Sequence, residues 1–252
     1  MTDLFGLPVA AVTMSEMVEL IDRAIEQRRP LRIGMLNAAK LVNMRRDPTL
    51  LSDLASSDVI LADGMSVVFA SRLLRQPLPE RVAGIDLMEA MLRRGDSRRY
   101  RVFCLGASHA VIRSTVEHIR RQSPGVQVVG FRDGYFSEQD EPAIVRQIAT
   151  AKPDILLVGI TSPKKERFLA HWGEKLDIPV CHGVGGSFDV MANKVRRAPV
   201  AWQRLGLEWL HRLRQEPRRL WKRYLVTNTV FCHMLLVEMF RPTTRLPPRA
   251  GV

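Results

Sequence analysis

Cysteine is scarce in this chain, with Cys104, Cys181 and Cys232 the only three in 252 residues. None forms a Cys-x-x-Cys pair, so neither a disulfide framework nor a zinc site is expected, and a reducing cytoplasm is the expected setting. His109, His118, His171, His182, His211 and His233 show no ligand spacing with cysteine or carboxylates, which argues against a structural metal. There is no Walker motif and no Gly-x-Gly-x-x-Gly, so ATP and dinucleotide cofactors are not expected. The start, Met1-Thr2-Asp3-Leu4-Phe5, lacks the basic and apolar regions of a signal peptide. Long apolar runs are also missing. Leu225 to Phe240 is interrupted by Asn228, His233 and Glu238 and falls short of the ~20 residues a membrane span needs. An ordinary core helix is its plainer reading.

Acidic residues are sparse in one place. From Lys194 to Arg245 twelve basic residues face only Glu208, Glu216 and Glu238, which accounts for most of the net charge of +12. A localised basic segment points to an anionic partner: nucleic acid, phospholipid headgroups or a diphosphate. The same segment carries Trp202, Trp209 and Trp221, three of the four tryptophans. Tryptophan and arginine on an amphipathic helix suit a membrane interface, and suit nucleic acid or a partner helix as well.

The first 190 residues alternate short apolar runs with helical patterns. Strands are expected at 31–36, 59–62, 101–105, 126–129, 155–158 and 179–182. Helices are expected at 38–46, 49–56, 65–74, 85–94, 111–122, 142–150 and 164–172, and the first dozen residues suit a small hairpin. Nearly continuous apolar strands separated by helices imply a parallel sheet covered on both faces. In such a doubly wound sheet, ligands bind beyond the carboxyl ends of the strands. Asp63-Gly64, Gly106 and Gly183 to Gly186 all fall on that edge.

Several residues there have two readings each. Asp63 either takes a proton from an attacking hydroxyl or caps the helix that follows it. Asn37, at the end of its strand, either binds sugar hydroxyls or forms a turn or cap. Arg81, just before a helix, either clamps a diphosphate or is solvated. Gly185 and Gly186 lie in a strand-to-helix turn whose N–H groups could approach a phosphate, although Phe188 breaks the dinucleotide pattern.

Seven runs taken in order resemble the WecG/TagA/CpsF family, glycosyltransferase family 26. They are Asn37-Ala38; Ala62 to Val68; Arg81 to Met88; Gly130 to Phe136; Ser162-Pro163-Lys164-Lys165-Glu166; Gly183 to Asp189; and Arg197-Ala198-Pro199 onward to Leu225. The resemblance covers about residues 5 to 231. It implies a Rossmann-like domain and an inverting, metal-independent transfer from a UDP-sugar. The acceptor it implies is a sugar on a polyprenyl diphosphate at the inner face of the cytoplasmic membrane, in cell-surface polysaccharide synthesis. No cofactor is implied, and the absence of an Asp-x-Asp metal–nucleotide handle agrees with that. By the same resemblance Asp63 is the general base, Asn37 and Arg81 bind substrate, and the C-terminal segment docks on the membrane and helps close the site. Arg81 with Arg212, Arg219 and Lys222 are then the cations expected to neutralise the leaving diphosphate.

Two positions depart from the family pattern. Met35 stands where a threonine is frequent, and Lys165 where a glutamine is. Lys165 is therefore expected to tune substrate choice, favouring an anionic group, unless it simply points to water at a helix start. The expected organisation is an α/β catalytic domain over 1–195, a helical Arg-rich docking and lid appendage over 196–240, and a flexible tail over 241–252. A homo-oligomer is left open. The competing reading, a basic nucleic-acid-binding module on a Rossmann-like domain, gives Asp63 and Arg81 no task, so no nucleic-acid partner is expected.

Overall fold

The computed structural model describes residues 1–240, except the side chains of Arg204 and Arg219. The tail expected at 241–252 lies outside the described residues. The strands are β1 (Thr2–Leu4), β2 (Leu7–Val9), β3 (Leu31–Leu36), β4 (Val59–Ala62), β5 (Arg101–Gly106), β6 (Gln127–Arg132), β7 (Ile155–Gly159) and β8 (Val180–Gly183). They form one sheet in the order β1-β2-β4-β3-β8-β7-β5-β6. All neighbours pair in parallel except β1 with β2, which form the antiparallel hairpin expected at the start of the chain.

The helices are α1 (Met14–Glu26), α2 (Ala38–Met44), α3 (Pro48–Ala55), α4 (Met65–Leu73), α5 (Gly84–Arg98), α6 (His109–Gln122), α7 (Glu141–Ala151), α8 (Lys164–Trp172), α9 (Ser187–Met191), α10 (Val200–Arg204), α11 (Glu208–Gln215) and α12 (Pro217–Met239). Alternate residues of the central strands enter cores on opposite faces, as the period of two requires. Ile33, Met35, Leu61, Val102, Cys104 and Leu157 pack with α1, α5, α6 and α9 on one face. On the other face, Leu36, Ile60 and Ala62 pack with α2, α3 and α4, while Phe103, Leu156 and Val158 pack with α7 and α8. This is the doubly wound, Rossmann-like arrangement expected from the apolar runs.

Three elements depart most from expectation, one of them helix α5, which runs on to Arg98, past the expected end at 94. Helix α1 was not picked out from the pattern, although Thr13 and Glu16 close a reciprocal capping box at its start. Strand β6 runs on to Arg132, beyond the apolar stretch. It is the edge strand, only partly buried, so its last residues need not be apolar.

The C-terminal helices lie against this domain. Phe231 and Met234 of α12 are buried in the same core as Leu4, Leu7, Leu36 and Leu41. The ring of Phe231 sits 6.0 Å from that of Phe5. The turn between α10 and α11 touches α4 through Gly206, whose φ is +73°. A Cβ there would stand 2.9 Å from Met65 Cβ, so only glycine permits both this turn and this approach.

Candidate active site

The carboxyl ends of β3, β4 and β8 bring together residues far apart in the chain. Asp63 follows β4, and its backbone N–H still donates to Leu36 O at 2.8 Å. Its side chain does not cap the helix that follows, since the N-cap of α4 is Gly64 and has no side-chain bond. Instead Asp63 Oδ1 accepts the Gly84 N–H at 2.9 Å, the first N–H of α5. Helix α5 has Ala83 at its own N-cap and so lacks a side-chain acceptor there. Asp63 is thus a cap, but for a helix reached across the site. Its Oδ2 accepts from Asn37 Nδ2 at 3.3 Å. Asn37 in turn caps α2, its Oδ1 accepting the Lys40 N–H at 3.0 Å. Two donors therefore aim a half-buried carboxylate along the sheet edge.

Behind Asp63 lies His182, at the end of β8 and fully buried. Its Nε2 lies 3.0 Å from Gly84 O, so the ring donates there and ties down the turn that holds Asp63. Burial pushes the imidazole down to about 4, outweighing the pull of the Gly84 carbonyl, so the ring is neutral at neutral pH.

Beside it is a buried ionic cluster. Lys40 Nζ donates to Met35 O at 2.5 Å and to Glu166 Oε1 at 2.7 Å. Lys165 Nζ stands 3.3 Å from the same Glu166 oxygen. All three side chains are buried. Burial, with the neighbouring Lys165 charge, brings Lys40 down to about 8. Burial works against an ionised Glu166, but the two ammonium groups outweigh it and hold the carboxyl at about 2. Lys165 thus does not point to water. Its stem lies on Gly183, where a Cβ would come within 2.7 Å of Lys165 Cδ. Its ammonium lies just below Gly185, 4.0 Å from where a Cβ would be, whereas nothing crowds the open side of Gly186.

Arg81 begins the segment that runs past Asp63. The next N–H, of Val82, donates to Ala62 O at 3.1 Å. The Arg81 guanidinium is not solvated. Nη1 donates to Glu208 Oε2 at 2.6 Å, and Nη2 stands 3.4 Å from Asp86 Oδ2. On its other oxygen Asp86 meets Arg197 Nη2 at 2.6 Å. Arg212 and Lys222, by contrast, are exposed on α11 and α12, and the Arg219 side chain lies outside the described residues.

The edge thus gathers Asn37, Asp63, Arg81, Lys165, Gly185 and Gly186. It adds Lys40, His182, Glu166, Asp86, Arg197 and Glu208, which sequence reasoning did not single out. Glu166 was visible in the run Ser162 to Glu166, but its lysine partner 126 residues away was not. Among the described residues, no three His, Cys, Asp or Glu side chains gather to hold a metal.

A doubly wound sheet whose ligand edge holds an aimed carboxylate beside buried ion pairs can take a proton from a bound substrate. Comparison with known proteins defines the class further. The family model Glycosyl transferase WecG/TagA/CpsF family matches residues 2–245. The chain belongs to this family and is a glycosyltransferase. It is 39% identical over 180 residues to an N-acetylglucosaminyldiphosphoundecaprenol N-acetyl-beta-D-mannosaminyltransferase of Bacillus spizizenii, covering 71% of this chain and 69% of that protein. It is 33% identical over 223 residues to the Bacillus subtilis enzyme of the same name, covering 88% and 86%.

Proposed function

We propose that this enzyme moves a hexose-type sugar, with inversion and without a metal, from a UDP-sugar to a sugar carried on a polyprenyl diphosphate. An N-acetylhexosamine is the first donor to try, because the relatives are named for N-acetylmannosaminyl transfer to a diphosphoundecaprenol-linked N-acetylglucosamine. The observation that carries the reading is the carboxylate of Asp63, oriented by Gly84 and Asn37 at the strand ends. An acceptor hydroxyl next to it attacks the anomeric carbon as its proton passes to Asp63. The bond from that carbon to the diphosphate breaks on the opposite face, and the electron pair leaves on the phosphate oxygen. General-base assistance of this kind contributes about 10²–10⁴-fold. Arg81, aided by Arg212, Arg219 and Lys222 of the appendage, neutralises the leaving UDP, the task a metal performs in other transferases.

The site of action in this proposal is the inner face of the cytoplasmic membrane. No helix among the described residues is long and apolar enough to cross a membrane. Yet Trp221 and Leu225 are exposed on α12 beside the exposed Arg218, Lys222 and Arg223, and Leu236 and Phe240 are exposed at and just past its far end. Aromatic and apolar side chains among cations suit an anionic bilayer surface. The test is a panel of UDP-sugars with a prenyl-diphosphate-linked sugar acceptor in anionic liposomes, read by mass spectrometry with EDTA present, alongside co-sedimentation. Transfer and salt-sensitive sedimentation are expected. Failure with every UDP-sugar, or transfer that requires added Mn²⁺ or Mg²⁺, would refute the donor or the metal-free half of the proposal.

A further inference from the structure

Helix α4 has two unlike faces. Val67, Val68, Ala70 and Ser71 are buried on its inner side. On its outer side Phe69 and Leu73, one turn apart, are 43% and 56% exposed. Arg72 lies between them and Arg75 just past the helix, and both are exposed. From Gly64 to Pro79 the chain holds no acidic residue. The apolar face also continues onto the appendage. A Cβ on Gly206 would stand 3.4 Å from Phe69 Cε2, and its neighbour Leu205, at the end of α10, is 65% exposed. An exposed apolar strip with arginines beside it thus runs from the catalytic domain to the α10–α11 turn.

We propose that the outer face of α4 is a second membrane contact, carried by the catalytic domain itself, and that it seats in the headgroup zone of an anionic leaflet. The proposal rests on the reading of the appendage as a membrane dock and extends it to residues outside the appendage. Apolar side chains on one helix face bury at the acyl boundary, while arginines beside them meet lipid phosphates. Charge favours the lipid over a second copy of this chain. A two-fold contact of this face with itself would set Arg72 and Arg75 against their own counterparts, with no carboxylate in the segment to separate them. An anionic leaflet supplies the opposite charge. The consequence for the site is one of height and tilt. Helix α4 starts directly after Asp63-Gly64 and is nine residues, about 14 Å, long. A leaflet that holds both α4 and the appendage therefore sets how far the Asp63 carboxylate stands from the headgroups, where a lipid-linked acceptor presents its sugar. A single contact through the appendage would leave the domain free to swing about it.

The test places a polarity-sensitive nitrobenzoxadiazole label on the full-length protein at Leu73→Cys. The background is Cys232→Ser, because Cys104 and Cys181 are buried and Cys232 is exposed. The probes are phosphatidylglycerol liposomes, with neutral phosphatidylcholine liposomes for contrast. On the anionic liposomes the label is expected to shift to the blue and to be quenched by doxyl-labelled lipid. The same label at Glu117→Cys, exposed on α6 against the opposite face of the sheet, is expected to stay unchanged. Arg72→Gln is expected to weaken liposome binding about fivefold at an unchanged Tm, the scale of one basic residue near an anionic surface. If the Leu73 label keeps its aqueous spectrum while the protein sediments with the liposomes, the appendage docks alone and the α4 contact is wrong. If the label shifts without lipid as protein concentration rises, a second copy covers this face and the proposal is equally wrong. If Arg72→Gln binds as tightly as the wild type, the arginines of α4 do not face the leaflet and the proposal falls. If the wild type does not bind anionic liposomes, the membrane reading of the appendage falls with it.

Discussion

The two ionic clusters at the sheet edge have opposite designs. The cluster of Lys40, Lys165 and Glu166 is buried within the catalytic domain and shares one carboxylate oxygen between two ammonium groups. The cluster of Arg81, Asp86, Arg197 and Glu208 is only partly buried and spans the catalytic edge and the appendage. A buried pair that loses one member strands a charge in a poorly polarisable interior, so its members are fixed. A pair with one end in water exchanges partners cheaply, because solvent replaces what is lost. The comparison makes the lysine cluster the fixed element of the edge and the arginine cluster the one whose pairs are cheaper to break.

The largest expected effect comes from breaking the buried side. Glu166→Ala leaves Lys40 and Lys165 facing each other without a counter-ion and is expected to cost about 3–5 kcal/mol. Glu208→Gln is expected to cost about 1 kcal/mol or less, because the exposure of its carboxylate screens the pair. Chemical denaturation of both variants measures the contrast, and equal losses would erase the distinction drawn between the clusters.

Acid sharpens the same contrast. His182 titrates at about 4 in the folded protein against 6.5 ordinarily, so between these values the unfolded chain binds the proton and the folded one does not. Stability from this residue is then present above pH 6.5 and lost as pH falls towards 4, on the order of 3 kcal/mol. Glu166, at about 2 against 4.5, adds a further loss as pH falls below 4.5. Denaturation midpoints at pH 7, 5.5 and 4 check this. In His182→Gln the first of the two losses is expected to vanish. If the variant instead keeps the wild-type slope from pH 6.5 to 4, His182 is not its source.

The smallest effect concerns specificity. With two ammonium groups on one carboxylate, the lysine cluster keeps a positive charge below Gly185. Lys165→Gln is expected to shift preference among donors by about tenfold, away from those with an anionic group, the scale of one hydrogen bond to a charged group. Unchanged kinetics for every accepted donor would make Lys165 a structural residue only.

The fold was legible where burial is two-sided. The runs 31–36, 59–62, 101–105 and 155–158 are nearly all apolar because helices cover both faces. The same logic placed Asn37 and Asp63 on the ligand edge, since each ends such a run. Their partners were not legible. Gly84 is 21 residues from Asp63, and only folding shows that its N–H belongs to an uncapped helix start. Lys165 looked like a lysine at a helix start, and its burial depends on Gly183 leaving room for its stem. Glu208 reads in the sequence as one of few acids in a basic segment, whereas its meeting with Arg81 depends on how α11 lies against the segment that precedes α5. Helix α1 is the reverse case: its Thr13–Glu16 capping signature is local and stands in the sequence itself.

The most direct measurement of the central claim, sugar transfer with Asp63 as base, is turnover by Asp63→Asn on a lipid-linked acceptor, with UDP affinity and Tm measured on the same sample. The amide keeps the shape of the side chain and can still accept the Gly84 N–H through its oxygen, but it cannot take up the acceptor's proton. Turnover is expected to fall by about 10²–10⁴-fold with UDP affinity preserved. Wild-type turnover in this variant would contradict the assignment of Asp63 as the base.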